Sequence, residues 1–265
     1  VIDWWWTYLL LGAIAGFFSG LLGIGGGAAL VPILALIFAA KQWPVENVVH
    51  LALGTCIATI LFTSASSVRS HHQRKAVNWR VLGGIVPGIL AGTFGGALLA
   101  GYLDARILSI AFTAVIYYLA TLMLIDRKPA SPRDMPGMLG LSGAGSVIGI
   151  IASLTATGGA SFVVPYLVRR GLTVHHAIGT AAAVAWPIAL AGTIGYVASG
   201  IGRADLPEWS VGFVYLPALG WIVIASMLMA PVGARVAHRT PGRTLKRVFA
   251  IVLYLLATNM LIRFF

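Results

Sequence analysis

The sequence predicts an all-α polytopic membrane protein made of two inverted-topology repeats, each a glycine-broken helical hairpin followed by three transmembrane helices. Three observations predict it: long uncharged apolar runs, a glycine-rich break that occurs twice, and a pattern of basic residues that only one threading of the membrane explains. Of 265 residues, 59% are hydrophobic and only 9% charged, against roughly 25% charged in soluble domains. Mean hydropathy is +0.93. A helix needs about 20 apolar residues to cross a bilayer. Barrel strands would be only about 10 residues long and alternating, so the spans are helical.

The first element is the run 4–40, read as a hairpin broken at Gly25-Gly26-Gly27. Trp4-Trp5-Trp6 opens it and marks the outer membrane interface, where aromatic belts sit. Three full crossings follow at 48–68, 80–103 and 106–125, completing a first repeat over residues 1–125. The polar, Pro-rich stretch 126–137 reads as a cytoplasmic linker. The second repeat, 138–265, carries the second hairpin within the run 135–168, broken at Gly158-Gly159. Its three crossings are 174–199, Trp209–Ala234 and Leu245–Ile262.

Two signatures recur between the halves. Gly25-Gly26-Gly27-Ala28-Ala29-Leu30-Val31-Pro32 returns as Gly158-Gly159-Ala160-Ser161-Phe162-Val163-Val164-Pro165, and His50-Leu51-Ala52-Leu53-Gly54-Thr55 as His175-His176-Ala177-Ile178-Gly179-Thr180. The glycines at 12, 16 and 20 and at 88, 92 and 96 are four apart. They read as scaffold, allowing close helix packing through small residues.

Charge sets the threading. Lys and Arg favour cytoplasmic loops. If each hairpin run crossed once, the 18 basic residues would divide evenly between the two sides. If each run returns to its starting side, the stretches 69–80, 127–133, 169–170 and 235–247 all face the cytoplasm, leaving only Lys41, Arg106, Arg203 and Arg263 outside. The second threading is adopted. Each half then crosses an odd number of times, so the second lies upside down relative to the first, as in many secondary transporters. Whether each hairpin dips halfway or crosses fully twice is left open by parity. The net charge of +11 is thereby explained by topology, with no nucleic-acid partner.

Helix-breaking backbone at membrane depth needs protein or a wet cavity around it, and paired breaks point to a transporter's binding site. A glycine break followed by a new helix leaves backbone N–H groups unpaired at that helix's N-terminus, which together with the helix dipole favours an anion. The candidate substrate-binding residues are therefore Gly25, Gly26, Gly27, Gly158, Gly159 and Ala160. Hydroxyls of Thr55, Thr157, Ser161 and Thr180 would assist without bringing charge. The competing reading is a packing kink for the glycines and local backbone capping for the hydroxyls. No Asp or Glu falls inside a predicted span, and the basic residues there (Arg80, Arg106, Lys246 and Arg247) sit at the span ends, which argues against a cation carrier with a midplane carboxylate.

His50 and His175 are possible proton-coupling groups, since imidazole titrates near neutrality; as helix-start residues they also read as interfacial. His71 and His72 belong to a basic loop. One cysteine, Cys56, excludes an internal disulfide and a Cys-rich metal site, and no cofactor or catalytic constellation is expected. Gly23-x-Gly25 lacks the strand that a nucleotide-binding turn requires. The partners expected are a small anion and the lipid bilayer.

The segment Gly20-Leu21-Leu22-Gly23-Ile24-Gly25-Gly26-Gly27 leading to Val31-Pro32, then Ala52-Leu53-Gly54-Thr55, resembles the TauE/SafE family of sulfite exporters. Gly158-Gly159 to Val164-Pro165 and Ala177-Ile178-Gly179-Thr180 repeat the pattern. The resemblance covers the whole chain. It implies a bacterial inner-membrane carrier of sulfite or a related sulfur-containing or organic anion. The second copy has Thr155-Ala156-Thr157 where the first has Leu22-Gly23-Ile24, which leaves the anion's identity open. An anion channel, or less readily a non-transporting membrane protein, is the alternative.

Overall fold

A computed structural model of the chain describes residues 4–22, 27–73, 75–125, 134–237 and 242–264. The helices in order are α1 Trp5–Leu22, α2 Gly27–Ala40, α3 Val45–Gln73, α4 Trp79–Ala100, α5 Ala105–Ile125, α6 Met138–Thr155, α7 Ala160–Arg169, α8 Val174–Gly200, α9 Leu216–Ala237 and α10 Gly242–Phe264. A two-stranded antiparallel hairpin, β1 Ser210–Val211 and β2 Val214–Tyr215, lies between α8 and α9. Among the described residues, seven helices are long and apolar enough to cross a membrane: α3, α4, α5, α6, α8 and most of α9 and α10. The chain is an all-α, multi-pass membrane protein.

The hairpin limbs are unequal. α6 has 18 residues, about 27 Å at 1.5 Å per residue, close to the roughly 30 Å of a hydrocarbon core. The returning limbs are far shorter, 14 residues in α2 and 10 in α7, or about 21 and 15 Å.

The order α1–α5 is matched by α6–α10, and the packing pairs match too. α1 lies along α9 as α6 lies along α4, while α3 packs on α8 and α5 on α10. The last two pairs run antiparallel. Along α3, Gly54 sits against Tyr196 and Ile57 against Gly192 of α8. Along α5, Thr113 donates to the Ala257 carbonyl (3.3 Å) and Thr121 meets Tyr254 of α10.

Small residues make the α1–α9 and α4–α6 contacts close, as the four-residue glycine spacing predicts. A Cβ at Gly12 would stand 2.7 Å from the Ile222 carbonyl oxygen, and one at Gly88 or Gly92 would overlap the carbonyl of Ser142 or Ser146. At one end of the bundle, aromatic rings gather instead. Lys41 Nζ lies 5.1–5.7 Å from the ring centres of Trp4, Tyr8, Trp43 and Tyr215, joining α1, the end of α2 and β2 through cation–π attraction.

Several expected boundaries move. The expected helix at Trp209–Ala234 begins only at Leu216, because the residues before it form the β-hairpin and its approach. The expected helix 48–68 extends to Val45 and Gln73. His71 and His72 are therefore helical rather than in a loop, and His72 meets the Trp79 ring edge-on. A helix satisfies its own backbone, so it can continue through polar residues beyond the apolar stretch. Gly25, Gly26 and the basic stretch 127–133 lie outside the described residues.

Candidate functional site

The start of α2 meets the second break. The first residue of α2, Gly27, is buried against the second break so closely that a Cβ there would overlap the carbonyl oxygen of Ala156. Cys56 of α3 stands beside both, its thiol 3.7 Å from the carbonyl oxygens of Gly27 and Ala156. One turn further along α3, Ile60 packs on Gly158, where Ala185 of α8 also approaches. The start of α2 and the second break thus come together at the middle of the two long antiparallel helices.

The second break is built residue by residue. α6 ends because Ala156 takes a left-handed conformation (φ 46, ψ 37), and Gly158 and Gly159 follow with φ of 67 and 74. Glycine carries positive φ without the Cβ clash that other residues suffer. Gly159 is the N-cap of α7 and provides no side-chain cap. The first N–H groups of the new helix to find an acceptor are those of Phe162 and Val163, both on the Gly159 carbonyl at 3.0 and 2.9 Å. Among the described residues no acceptor meets the N–H groups of Gly158, Gly159, Ala160 or Ser161.

The acceptors at the same break are treated differently. The α6 C-terminus exposes carbonyls that α-helical bonding leaves free, and side chains from α8 and α3 reach two carbonyls at the break. Tyr196, fully buried on α8, donates its hydroxyl to the Ser153 carbonyl at 3.0 Å, and Cys56 offers its weak S–H donor to Ala156. Thr155 donates back to Ile151 at 2.9 Å and shares a 3.1 Å contact with the Thr157 hydroxyl. Among the described residues, four consecutive N–H groups at the break thus lack an acceptor, an arrangement that suits an anion at a helix N-terminus.

Thr55 and Thr180 do something else. The Thr55 hydroxyl accepts the Tyr215 N–H at 3.0 Å, and the Thr180 hydroxyl accepts the Asn78 N–H at 2.9 Å. Each acceptor serves the residue just before a helix of the other half, α9 or α4. The preceding glycines make room: a Cβ at Gly54 would overlap the Phe213 carbonyl, and one at Gly179 that of Ala76. The Gly-Thr signature is thus a reciprocal lock between halves. With each helical residue rotated 100° from the last, Thr55 points to the lock while Cys56 points to the breaks. Thr55→Val is expected to lower stability by about 1–3 kcal/mol, the cost of stranding a buried N–H. Thermal unfolding in detergent measures it.

The two candidate histidines differ. His175 is exposed beside His176, ring centres 5.9 Å apart. His50 is only 2% exposed. Its Nδ1 lies 2.9 Å from the Glu46 carbonyl oxygen, and its Nε2 lies 3.0 Å from those of both Ala100 and Leu103. Nearby, buried Asn47 donates to the Asp205 carboxylate at 2.6 Å. Arg203 donates to the Gly101 carbonyl at 2.6 Å and to Asn47 Oδ1 at 3.4 Å.

The Asn47 hydrogen bond, helped by Asp205's own N–H and Arg203, holds the Asp205 carboxyl below its usual range. A depressed carboxylate contributes stability above its unfolded pKa and loses it as pH falls through the folded value. Acidification below the usual carboxylate range should therefore destabilise the wild type more than Asp205→Asn. Unfolding midpoints across a pH series test this.

Sequence reasoning missed Cys56 and Tyr196. Neither recurs in the other half's motif, and no local pattern marks a donor whose acceptor lies 43 or 100 residues away. Ser161 and Ala160 are half-buried at the start of α7, and Thr157 is 1% exposed.

Comparison with known proteins bears on what this arrangement serves. Residues 8–260 match the family model described as sulfite exporter TauE/SafE. A probable membrane transporter protein of Haemophilus influenzae is 34% identical over 257 residues, covering 96% of this chain and 97% of that protein. The probable membrane transporter protein YdhB of Bacillus subtilis is 29% identical over 245 residues, 89% of this chain and 90% of its own. A probable membrane transporter protein of Methanocaldococcus jannaschii is 24% identical over 262 residues, with 96% and 94% covered. No solved structure matches.

Proposed function

Because the chain belongs to the sulfite exporter TauE/SafE family of membrane transporters, we propose that it is a secondary carrier of a small anion. The cargo is sulfite or a related sulfur-containing or organic anion, moved across the bacterial inner membrane by alternating access. The anion is held between the breaks by N–H groups at Gly27 and at Gly158–Ser161, with the hydroxyls of Thr157 and Ser161 beside them. Gly25 and Gly26 belong to the same site by their place in the sequence. Thr55 and Thr180 act at its edge, as the lock between halves.

One observation carries this reading: at the second break, protein donors reach the Ser153 and Ala156 carbonyls, while four consecutive N–H groups, among the described residues, meet no acceptor. The positive end of the α7 dipole adds to their attraction for a negative charge. Neutral donors bind an anion without the deep well that a buried cation would make, so the cargo can leave.

The inverted arrangement of the halves is supported by the antiparallel packing of corresponding helices, α3 on α8 and α5 on α10. A parallel repeat, related by an axis along the membrane normal, would set such pairs parallel. Basic stretches on the cytoplasmic side complete the topology. Rocking one half against the other then exposes the breaks to either side.

Labelled sulfite flux into proteoliposomes tests the proposal. Flux that saturates with concentration and is competed by other small oxyanions is expected. Flux that rises without saturation assigns a channel, and absence of flux for sulfite and alkyl sulfonates alike overturns the substrate class.

A further inference from the structure

We propose that the coupling ion of this carrier is a proton and that His50 is its site. The coupling role rests on the carrier reading above; the protonation state does not. A neutral imidazole has one N–H donor and one acceptor lone pair. Around His50, both ring nitrogens face carbonyl oxygens only: Glu46 at Nδ1, and Ala100 and Leu103 at Nε2, all within 2.9–3.0 Å. Either neutral tautomer would press a nitrogen lone pair against a carbonyl lone pair. The imidazolium donates at both nitrogens and satisfies every contact.

The surroundings weigh on both sides of this balance. Burial opposes the charge, and so does Arg203, whose guanidinium lies over the Phe213 ring, 5.0 Å from its centre, while His50 stacks on that ring at 4.9 Å. Three carbonyls favour it, and Ala100 is the last residue of α4, where the negative end of the helix dipole concentrates. The other charged groups brought to this end are Glu46 on α3 itself, Asp104 and Arg106 at the start of α5, and Asp205 and Glu208 in the segment after α8. Asp205 is engaged by Asn47. Phe213 contributes no charge.

The position suits coupling. His50 ties α3, whose Cys56 and Ile60 touch the breaks, to the end of α4, whose length carries α6 and the second break. Arg203 fastens the same turn from the other half, through the Gly101 carbonyl. With the proton bound, this end of the bundle is clasped. Losing the proton turns one donor bond into a repulsion and frees the α4–α5 turn to part from α3.

Two measurements decide the matter. In the first, the purified wild-type protein labelled with [15N]histidine is examined by NMR at neutral pH, and His50 is assigned with variants of His71, His72, His175, His176 and His238. Both His50 ring nitrogens are expected to be protonated. One protonated and one bare nitrogen would overturn the proposal, whatever the substrate. In the second, flux of sulfite and of an alkyl sulfonate, whose charge does not titrate, is followed in proteoliposomes under a pH gradient. One proton per anion lets a one-unit gradient sustain about a tenfold anion ratio. His50→Gln is expected to lose this accumulation, its remaining flux, whatever its size, no longer responding to the pH gradient. Accumulation in the variant equal to wild type would remove His50 from coupling. If no anion moves in the wild type, the carrier reading and the coupling role fail together, and the NMR result stands alone on protonation.

Discussion

Gly27→Leu is expected to abolish anion flux and to destabilise the protein, while Ala40→Leu at the exposed end of the same helix leaves both nearly unchanged. The first Cβ alone would overlap the Ala156 carbonyl oxygen and come within 3.3 Å of Cys56 Sγ. The obstacle is backbone on one side and a fully buried thiol on the other, so no side chain can swing aside. Overpacking a closed site costs about 1–3 kcal/mol, and here it also drives α2 away from the second break, where the anion is proposed to bind. Ala40 lies at the end of α2 and is exposed. Flux in proteoliposomes and thermal unfolding of the same preparations measure the two effects. Unimpaired flux in Gly27→Leu would mean that the cargo does not pass between the breaks.

The second large effect is expected within one helix. Gly88→Leu should destabilise the protein, toward the upper end of the same overpacking range, because its Cβ would overlap the Ser142 carbonyl of α6. Gly95→Leu, seven positions on, should be neutral or stabilising by a few tenths of a kcal/mol, since leucine is the better helix former. Nothing lies within 4 Å of a Cβ there. Both faces of α4 carry glycine, but only one is a packing surface. Unfolding midpoints in detergent separate them, and equal behaviour would place the α4–α6 contact elsewhere.

How far the sequence could be read follows from what each signal depends on. The apolar runs, the paired breaks and the glycine spacing are local, and the helices fall where they place them. The run from Trp209 misled because hydropathy does not tell a buried strand from a helix. Val211, Phe213, Val214 and Tyr215 are as apolar as a span, yet their backbone is satisfied by a strand pair and by partners on α8 and α3, with Phe213 N–H on the Tyr196 carbonyl and Tyr215 N–H on Thr55. The Gly-Thr signature was visible as a repeat, but its work was not. Nothing near Thr180 in the chain reveals that its acceptor serves Asn78, 102 residues earlier. His50 read as an interfacial helix-start residue because it lies near the beginning of α3; the turn after α4 folds over it and buries it.

The sequence by itself determined the membrane-helical class, the placing of the spans, and the pair of glycine breaks as the place where helical bonding stops. Hydropathy, glycine and charge act within a turn or a span, so they are legible along the chain. Only the tertiary structure decided which polar groups at the breaks have partners. Tyr196 covers the Ser153 carbonyl and Cys56 that of Ala156, because helix rotation and packing aim those side chains across the bundle. The N–H groups from Gly158 to Ser161 meet no acceptor among the described residues. The proposed preference for a negative guest rests on those unpaired donors.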